Sequence, residues 1–553
     1  MNGSSNVARR LSEMAQQRPD AIAVVEPLNY DHNGKRRYRT ITFRELDEDS
    51  DRIARGLVAM GVSSGTRLAL LVRPGIDFVS LVFGLYKAQA VVILIDPGMG
   101  RWNLIRCLAE AEPEGFIAIS MVHAIRTVLR HRFPKSRFHV TVGRRWFWGG
   151  PTLDTLRAGP WTPFETSPTK ADQPAAIIFT TGSTGPPKGV LFTHGNFDAQ
   201  VEQIRDFYDI QPGEIDLPCF PLFGLFNCAM GVTAVIPDMD PSRPAQVDPE
   251  KIIEAARDWN ATQAFGSPAI WDRVGRYCKQ HGERLPTIRR VLSAGAPVPV
   301  EVHRWMKACI HPQGDLHTPY GATEALPVAS NASTIVLEET AAKTRIGAGV
   351  CVGSRFSGIQ WRVIRIVDGP IPTIEHSEEP PCGEIGELIV RGPQVTREYV
   401  TRRESNALAK IADGEGFWHR MGDAGYFDDH NRFWFCGRVA HSVTTPEGRM
   451  FPVRCEAIFN QHPDIRRSAL VGVGPAGQQQ PVIVLEPLAD RMPRTPEAKE
   501  TLLGEIRSLG QSNALTAGIE IFLLHPGFPV DIRHNAKIFR EKLAVWAAGV
   551  LRQ

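Results

Sequence analysis

Short apolar runs alternate along this chain with amphipathic stretches, and the two patterns predict different elements. Thr42 followed three residues later by Glu45 fits a helix-capping box, and Leu46, Ile53, Leu57 and Met60 then fall near helical spacing, which predicts a surface helix. RLALLV at 67–72 and AVVILID at 90–96 read as buried strands flanking a second helix. AAIIFTT, TQAFGSPA and RRVLSAGAP repeat the strand-then-turn pattern further along. Alternation of this kind predicts an α/β fold, with β-sheets covered by helices. After Arg438 the chain crosses a polar segment, HSVTTPEGR, and restarts with SALVGVG, PVIVLEP and a final helix after Pro529. The boundary is therefore expected at 438–441, dividing a large N-terminal domain, 1–438, from a small mobile C-terminal α+β domain, 439–553.

Composition narrows the class. The 553 residues exceed what one hydrophobic core usually organises, while 43% hydrophobic and 22% charged residues belong to an ordinary globular protein. A net charge of +3 is too small to argue for a polyanionic partner. The nine cysteines form no CxxC pair, so neither a disulfide framework nor a zinc ribbon is indicated, and a cytoplasmic location is the default. The first residues carry no apolar signal-peptide core, and the most apolar stretch, VSLVFGLYKAQAVVILID, is interrupted by Lys87; no transmembrane span is expected. The basic and aromatic stretch from Arg126 to Trp148 could be read as nucleic-acid-binding. The near-neutral chain favours a solvated basic face beside a packed aromatic strand, and no nucleic acid is expected. Whether that face meets a membrane or a partner enzyme is left open by the sequence.

The decisive segment is IIFTTGSTGPPKGV at 177–190, where an apolar strand runs directly into a loop ending in Lys188. Gly182 and Gly185 allow backbone N–H groups to approach an anion. Thr180, Thr181, Ser183 and Thr184 add hydroxyl donors, and Lys188 adds a point charge. This is a phosphate-wrapping loop, although not the GxxxxGK[ST] kind. It resembles the phosphate-binding signature of the acyl-adenylate-forming (AMP-binding) superfamily, which includes acyl-CoA synthetases, firefly luciferase and peptide-synthetase adenylation domains.

Other signatures similar to those of that superfamily follow in order. Ser293-Ala-Gly295-Ala296-Pro297 resembles its adenine-binding turn, and Tyr320-Gly321-Ala-Thr323-Glu324 the segment whose aromatic ring packs on adenine. The resemblance puts Thr323 on the phosphate side and makes Glu324 the magnesium ligand, in keeping with the preference of a hard cation for carboxylate oxygen. MGDAGYFD at 421–428 resembles the TGD motif, with Met421 in place of threonine and Asp423 at the ribose hydroxyls. Arg438 matches the arginine that contacts ribose and phosphate before the hinge. NAKIFR at 535–540 resembles the terminal motif that makes Lys537 the adenylation lysine.

These parts answer a physical need. A carboxylate attacking the α-phosphate of ATP brings two anions together, so the Lys188 loop and Mg2+ on Glu324 would hold the leaving pyrophosphate while Lys537 bridges the reacting groups. The acyl acceptor is less plain. The hinge position that is usually lysine or aspartate is Ala440, followed by His441, and the histidine expected after PLF is Gly224, beside Phe223. An absent side chain there would widen the pocket for an α-branched acid.

VIPDMDPSRPAQVDP, TPYGATEALPVA, HRMGDAGYFD and FPVDIRHNAKIFREKLAVWA are similar to the β-lactone synthetases of bacterial long-chain olefin biosynthesis over most of the chain. That resemblance implies a 2-alkyl-3-hydroxy fatty acid substrate whose adenylate is closed by its own β-hydroxyl to a β-lactone and AMP. It also implies possible assembly with other olefin-pathway enzymes. His194 and His419 lie near signature segments as candidate bases, with neither preferred. A fatty acyl-CoA or acyl-carrier ligase and a non-catalytic acyl-AMP-binding protein are the rival readings.

Overall fold

The computed structural model of the chain describes residues 5–180, 186–530 and 538–552. The capping box forms as expected: the Thr42 hydroxyl accepts from the Glu45 N–H, and the Glu45 carboxylate accepts from the Thr42 N–H, opening the helix Phe43–Ala59. Leu46, Ile53 and Leu57 are fully buried on one face of that helix, and Met60 closes its last turn. The strands Arg67–Leu71 and Val91–Leu94 flank the helix Ile76–Lys87. Lys87, which interrupts the apolar run, is buried at the end of that helix. Its ammonium lies 2.7 Å from Asp47 and 2.6 Å from Asp51, an ion pair that makes burial of the charge tolerable.

Three sheets make up the chain before Arg438. The first runs in the order Phe138–Val142, Gly115–Ile119, Arg67–Leu71, Val91–Leu94, Pro174–Phe179, Gly189–Thr193, parallel throughout except for the hairpin of the last two strands. The second has nine strands. Its parallel centre contains Ile215–Pro218, Gln263–Gly266, Arg290–Ser293 and Asp315–Ala322, and an antiparallel hairpin, Asp315–Ala322 with Ala325–Ala332, lies toward one edge. Central strands such as Val91–Leu94 and Gln263–Gly266 are buried along their whole length, as parallel strands covered on both faces must be. The third sheet, built around Gly386–Arg391, Gly416–Phe427 and Phe433–Arg438, is antiparallel, a departure from the strand–helix alternation read in the sequence.

Helices Phe43–Ala59 and Ile76–Lys87 pack with strands of the first two sheets in one hydrophobic cluster containing Phe43, Ile53, Leu81, Leu85, Val92 and Ala176. A second cluster ties Phe265 and Leu292 of the nine-stranded sheet to Leu388 and Phe433 of the antiparallel one. From Val443 onward the chain has its own sheet, Ile465–Val473, Gln480–Pro487 and Ile521–Leu524, and a cluster containing Phe459, Leu470, Ile483 and Ile506. Among the described residues, no helix is long and apolar enough to cross a membrane.

Candidate functional site

The site is built where the ends of strands from all three sheets meet. Pro174–Phe179 and Gly189–Thr193 form a hairpin, and the loop joining them is closed at its base by two hydrogen bonds: the Thr180 N–H donates to the Lys188 carbonyl (2.9 Å), and the Lys188 N–H donates to the Thr180 hydroxyl (3.1 Å). Thr181, Gly182, Ser183, Thr184 and Gly185 lie outside the described residues. Lys188 projects over the ring of Tyr399, its ammonium 4.8 Å from the ring centroid, a cation–π distance. The Tyr399 hydroxyl donates to Glu324 Oε1 at 2.5 Å. Burial, reinforced by the Glu324 charge, raises the Tyr399 pKa, so the phenol keeps its proton and acts as the donor.

Glu324 and Thr323 lie in the turn between Asp315–Ala322 and Ala325–Ala332. The Glu324 carbonyl accepts from both the N–H and the hydroxyl of Thr396 (2.9 and 3.1 Å), which fixes the turn to the antiparallel sheet. Gly321 permits the tight approach there, since a Cβ at that position would stand 2.5 Å from the Ala325 carbonyl oxygen. Tyr320, one turn of the strand away, donates its hydroxyl to Asp423 Oδ2. Its ring lies near Phe433 and Phe435, with centroids 6.3 and 6.5 Å away. Burial and the Asp423 charge raise the Tyr320 pKa well above the ordinary phenol value.

Asp423 and Arg438 are directly paired across two neighbouring strands of the antiparallel sheet. Arg438 Nη1 donates to Asp423 Oδ1 (2.7 Å) and to the Met421 carbonyl (3.1 Å), and the Asp423 charge pushes the arginine pKa further up. Asp423 and Arg438, expected on the ribose side, therefore come together with Tyr320, expected to pack on adenine, in a Tyr320–Asp423–Arg438 chain. Gly295, Ala296 and Pro297 form a turn on the same cleft, with Gly295 in the left-handed region at φ 99°.

The cleft, about 3430 Å³, continues from these polar groups into an apolar region. Phe223 stacks on Phe265, with ring centroids 3.4 Å apart. Gly224, in the helix Pro221–Ala229, is buried, with room for a methyl group. A Cβ there would meet nothing nearer than Ala234 Cβ and Ile236 Cδ1, both at 3.9 Å.

Two site members were missed in the sequence. Tyr399 is one. The other is Lys410, which donates to the Thr396 carbonyl and whose ammonium lies 5.1 Å from the Phe417 ring centroid; burial lowers its pKa to about 7, opposed by the Glu324 charge. Of the two histidines, His419 is paired with Lys410 across the strands and lines the cleft. Its Nδ1 lies 3.1 Å from the Ala409 carbonyl, so that nitrogen carries the proton, and burial beside Lys410 holds the ring well below its usual pKa. His194 is buried outside the lining of the cleft. Its Nδ1 accepts from the Val7 N–H at 3.3 Å, and burial lowers its pKa to about 4. Lys537 lies outside the described residues. Ile538 and Arg540, just beyond it, line the cleft, with Arg540 held by three hydrogen bonds, 3.1, 2.8 and 2.7 Å, to the Glu456 carboxylate.

The model of the AMP-binding enzyme family matches residues 11–400. The chain belongs to the AMP-binding enzyme family. Among curated family members it is 46% identical to the olefin beta-lactone synthetase of Xanthomonas campestris over 98% of this chain and 97% of that protein. It is 45% identical to the olefin beta-lactone synthetase of Stenotrophomonas maltophilia over 100% of both. The solved structure of an amide bond synthetase from Marinactinospora thermotolerans superposes with a TM-score of 0.77 at 19% identity, covering 98% of this chain and 100% of that one, a likeness of fold alone.

For an AMP-binding enzyme the polar end of the cleft has suitable chemistry. Arg438 Nε and Ser293 Oγ are buried without a hydrogen-bond partner among the described residues, and both residues line the cleft. A nucleotide with ribose hydroxyls and phosphates offers acceptors to both. The Asp423 carboxylate, although bonded to Tyr320 and Arg438, has lone pairs left for a ribose hydroxyl. The described residues contain no cluster of three or more His, Cys, Asp or Glu side chains. Magnesium held by one carboxylate together with phosphate oxygens requires no such cluster, and Glu324 is a carboxylate that lines the polar end of the cleft.

Proposed function

We infer that this member of the AMP-binding family is an ATP-dependent β-lactone synthetase. It would convert a 2-alkyl-3-hydroxy fatty acid through its acyl-AMP to a β-lactone, AMP and pyrophosphate, in long-chain olefin biosynthesis in the cytoplasm. The observation that carries the acceptor is the 45–46% identity to two olefin beta-lactone synthetases over essentially the whole chain. The adenylation half is supported by the meeting of Lys188, Glu324, Asp423 and Arg438 at the mouth of an apolar cleft.

In the first step the acid's carboxylate attacks the α-phosphorus of ATP, the bond to the β-phosphate oxygen breaks, and pyrophosphate leaves. Lys188 and the loop before it offset the charge on the leaving group; Asp423, Arg438 and Tyr320 hold the adenosine side. Magnesium, when bound at Glu324, neutralises phosphate charge. Lys537 would bridge carboxylate and α-phosphate as charge spreads in the transition state. We take the boundary of the mobile C-terminal domain at 438–441, at the short helical turn Val439–His441, so that Lys537 belongs to that domain.

In the second step the β-hydroxyl oxygen attacks the acyl carbonyl of the same molecule, AMP departs, and the hydroxyl proton is lost to solvent or to a base. Such intramolecular reactions reach effective molarities of about 10⁵ to 10⁸ M when well oriented, so no CoA is required. Gly224 carries no side chain beside the cleft-lining Phe223, which suits a carbon branch beside the carboxylate. His419, neutral and in the cleft, is better placed than His194 to receive the proton. Complexes with other olefin-pathway enzymes belong to the same reading.

The test is NMR analysis of the products formed from a racemic 2-alkyl-3-hydroxy fatty acid, ATP and magnesium, with and without CoA. A β-lactone plus AMP without CoA is expected. A thioester formed only when CoA is present would make the protein an acyl-CoA ligase instead.

A further inference from the structure

The helix Ser120–Val128 carries a face that nothing covers among the described residues. Met121, Ile125 and Val128, spaced four and three residues apart, all lie exposed on it, whereas His123 is buried on the opposite side, 5.5 Å from the Trp148 ring. The loop that follows the strand Phe138–Val142 is fastened to this helix, because the Ser120 hydroxyl donates to the Arg144 carbonyl. It presents Trp146 and Phe147 to solvent. Trp102 opens the neighbouring helix Arg101–Glu110, whose Leu104 packs in the same cluster as Leu129. Trp102, Val128 and Phe147 are 82%, 77% and 73% exposed, and they are grouped with Met121, Ile125 and Trp146, whereas Val545 and Ile346, the comparably exposed apolar residues elsewhere, lie far apart in the sequence.

The same region is basic. Between Gly115 and Leu153 the sequence contains no aspartate or glutamate, and it includes Arg126, Arg130, Arg132, Arg144 and Arg145. None of Arg130, Arg132, Arg144 and Arg101 has a carboxylate partner among the described residues, and all four are exposed. Cations left unpaired around exposed tryptophan, phenylalanine and aliphatic side chains suit the headgroup layer of a bilayer. There apolar side chains enter the acyl boundary while arginines meet phosphate. A protein partner would be expected to bring carboxylates to these arginines, whereas an anionic bilayer supplies both the phosphates and the apolar layer in one surface.

The face is also continuous with the cleft. Val122, Ile125 and Leu129 of this helix, together with Leu104, Ile105 and Leu108 of its neighbour, line the cleft wall. We propose that the surface formed by Trp102, the outer face of Ser120–Val128 and the Arg144–Phe147 loop docks on anionic lipid bilayers, with the apolar side of the cleft turned toward the membrane. Docking stands independently of the β-lactone reading; only the passage of acyl chains into the cleft rests on it.

The test is co-sedimentation of the full-length protein with vesicles of phosphatidylcholine alone and of phosphatidylcholine mixed with phosphatidylglycerol, at low and high salt. Binding to the mixed vesicles is expected, weakening at high salt. The variant Arg130→Glu/Arg132→Glu/Arg144→Glu should bind them at least a hundredfold less, given about fivefold per basic residue at an anionic surface. The variant Met121→Ser/Val128→Ser/Phe147→Ser should lose binding without losing its fold, as reported by the melting temperature. Three results would overturn the proposal: no binding to the mixed vesicles, equal binding by the parent and both folded variants, or a concentration-dependent oligomer that the same variants abolish while vesicles are ignored. The last would make the face a protein interface. Since vesicle binding is read without substrate, failure here and failure of the lactone assay remain distinct.

Discussion

Gly224 offers a perturbation whose effects on stability and on activity run in opposite directions. An added methyl at this position would contact Ala234, Ile236 and Pro218 at 3.9–4.0 Å, ordinary van der Waals distances, inside the helix Pro221–Ala229. Gly224→Ala should therefore raise stability by about 0.5–1 kcal/mol, the usual gain from replacing a helical glycine, with little change in turnover. Gly224→Phe sets a ring against Ala234, Ile236 and Pro218, and because Ile236 and Pro218 line the apolar cleft, the ring is expected to take up space there. If it displaces about three methylenes of one alkyl arm at about 0.8 kcal/mol each, binding of a 2-alkyl-3-hydroxy acid weakens by about 2.4 kcal/mol, about sixtyfold. A straight-chain acid, lacking the arm, should be affected far less. The assay is kcat/KM for pyrophosphate release with each acid, together with urea midpoints for both variants. Equal losses for branched and straight acids, or a destabilised Gly224→Ala, would refute the argument that this glycine makes room for a branch.

Lys537→Ala should abolish most ATP–pyrophosphate exchange while leaving ATP binding largely intact by calorimetry; wild-type exchange rates would count against its bridging role. Asp423→Asn leaves the Arg438 charge without its closest partner and should cost on the order of 3 kcal/mol in urea titrations, whereas Tyr320→Phe, which removes one hydrogen bond, should cost about 1 kcal/mol. Comparable costs would sink that ranking. The folded pKa of Lys410, about 7, lies below its unfolded value of about 10.4. Between those values the unfolded chain binds the extra proton, so stability rises with pH across this window and is flat below it. Lys410→Met should lose that slope in denaturation measured at several pH values; parallel curves for parent and variant would contradict it.

The candidate site was legible because its residues sit in short segments whose order and chemistry are distinctive: a strand entering a Thr/Ser/Gly loop, the Tyr320–Glu324 turn, and the Asp423 and Arg438 strands. The strand–helix alternation likewise foretold the two mainly parallel sheets. The antiparallel sheet was harder to see, since its longest strand, Gly416–Phe427, is rich in glycine and polar residues and its pairing with Gly386–Arg391 carries a register shift. Tyr399 and Lys410 were invisible for a related reason. Each is one polar residue in an ordinary-looking segment, and only folding brings Tyr399 against Glu324, 75 residues away. The two histidines illustrate the converse. Proximity to a motif in sequence put His194 and His419 on equal terms, whereas the fold turns one into the cleft and packs the other against Tyr86.

The two hydrogen bonds between Thr180 and Lys188 have a further consequence. They span eight positions and draw the loop shut like a purse string, so the place of Lys188 is set by the hairpin below it and not by the residues strung between. Each doubling of such a loop costs only about 0.6 kcal/mol in closure entropy. Changes in the length or composition of the intervening sequence should therefore leave the lysine and its sheet in register.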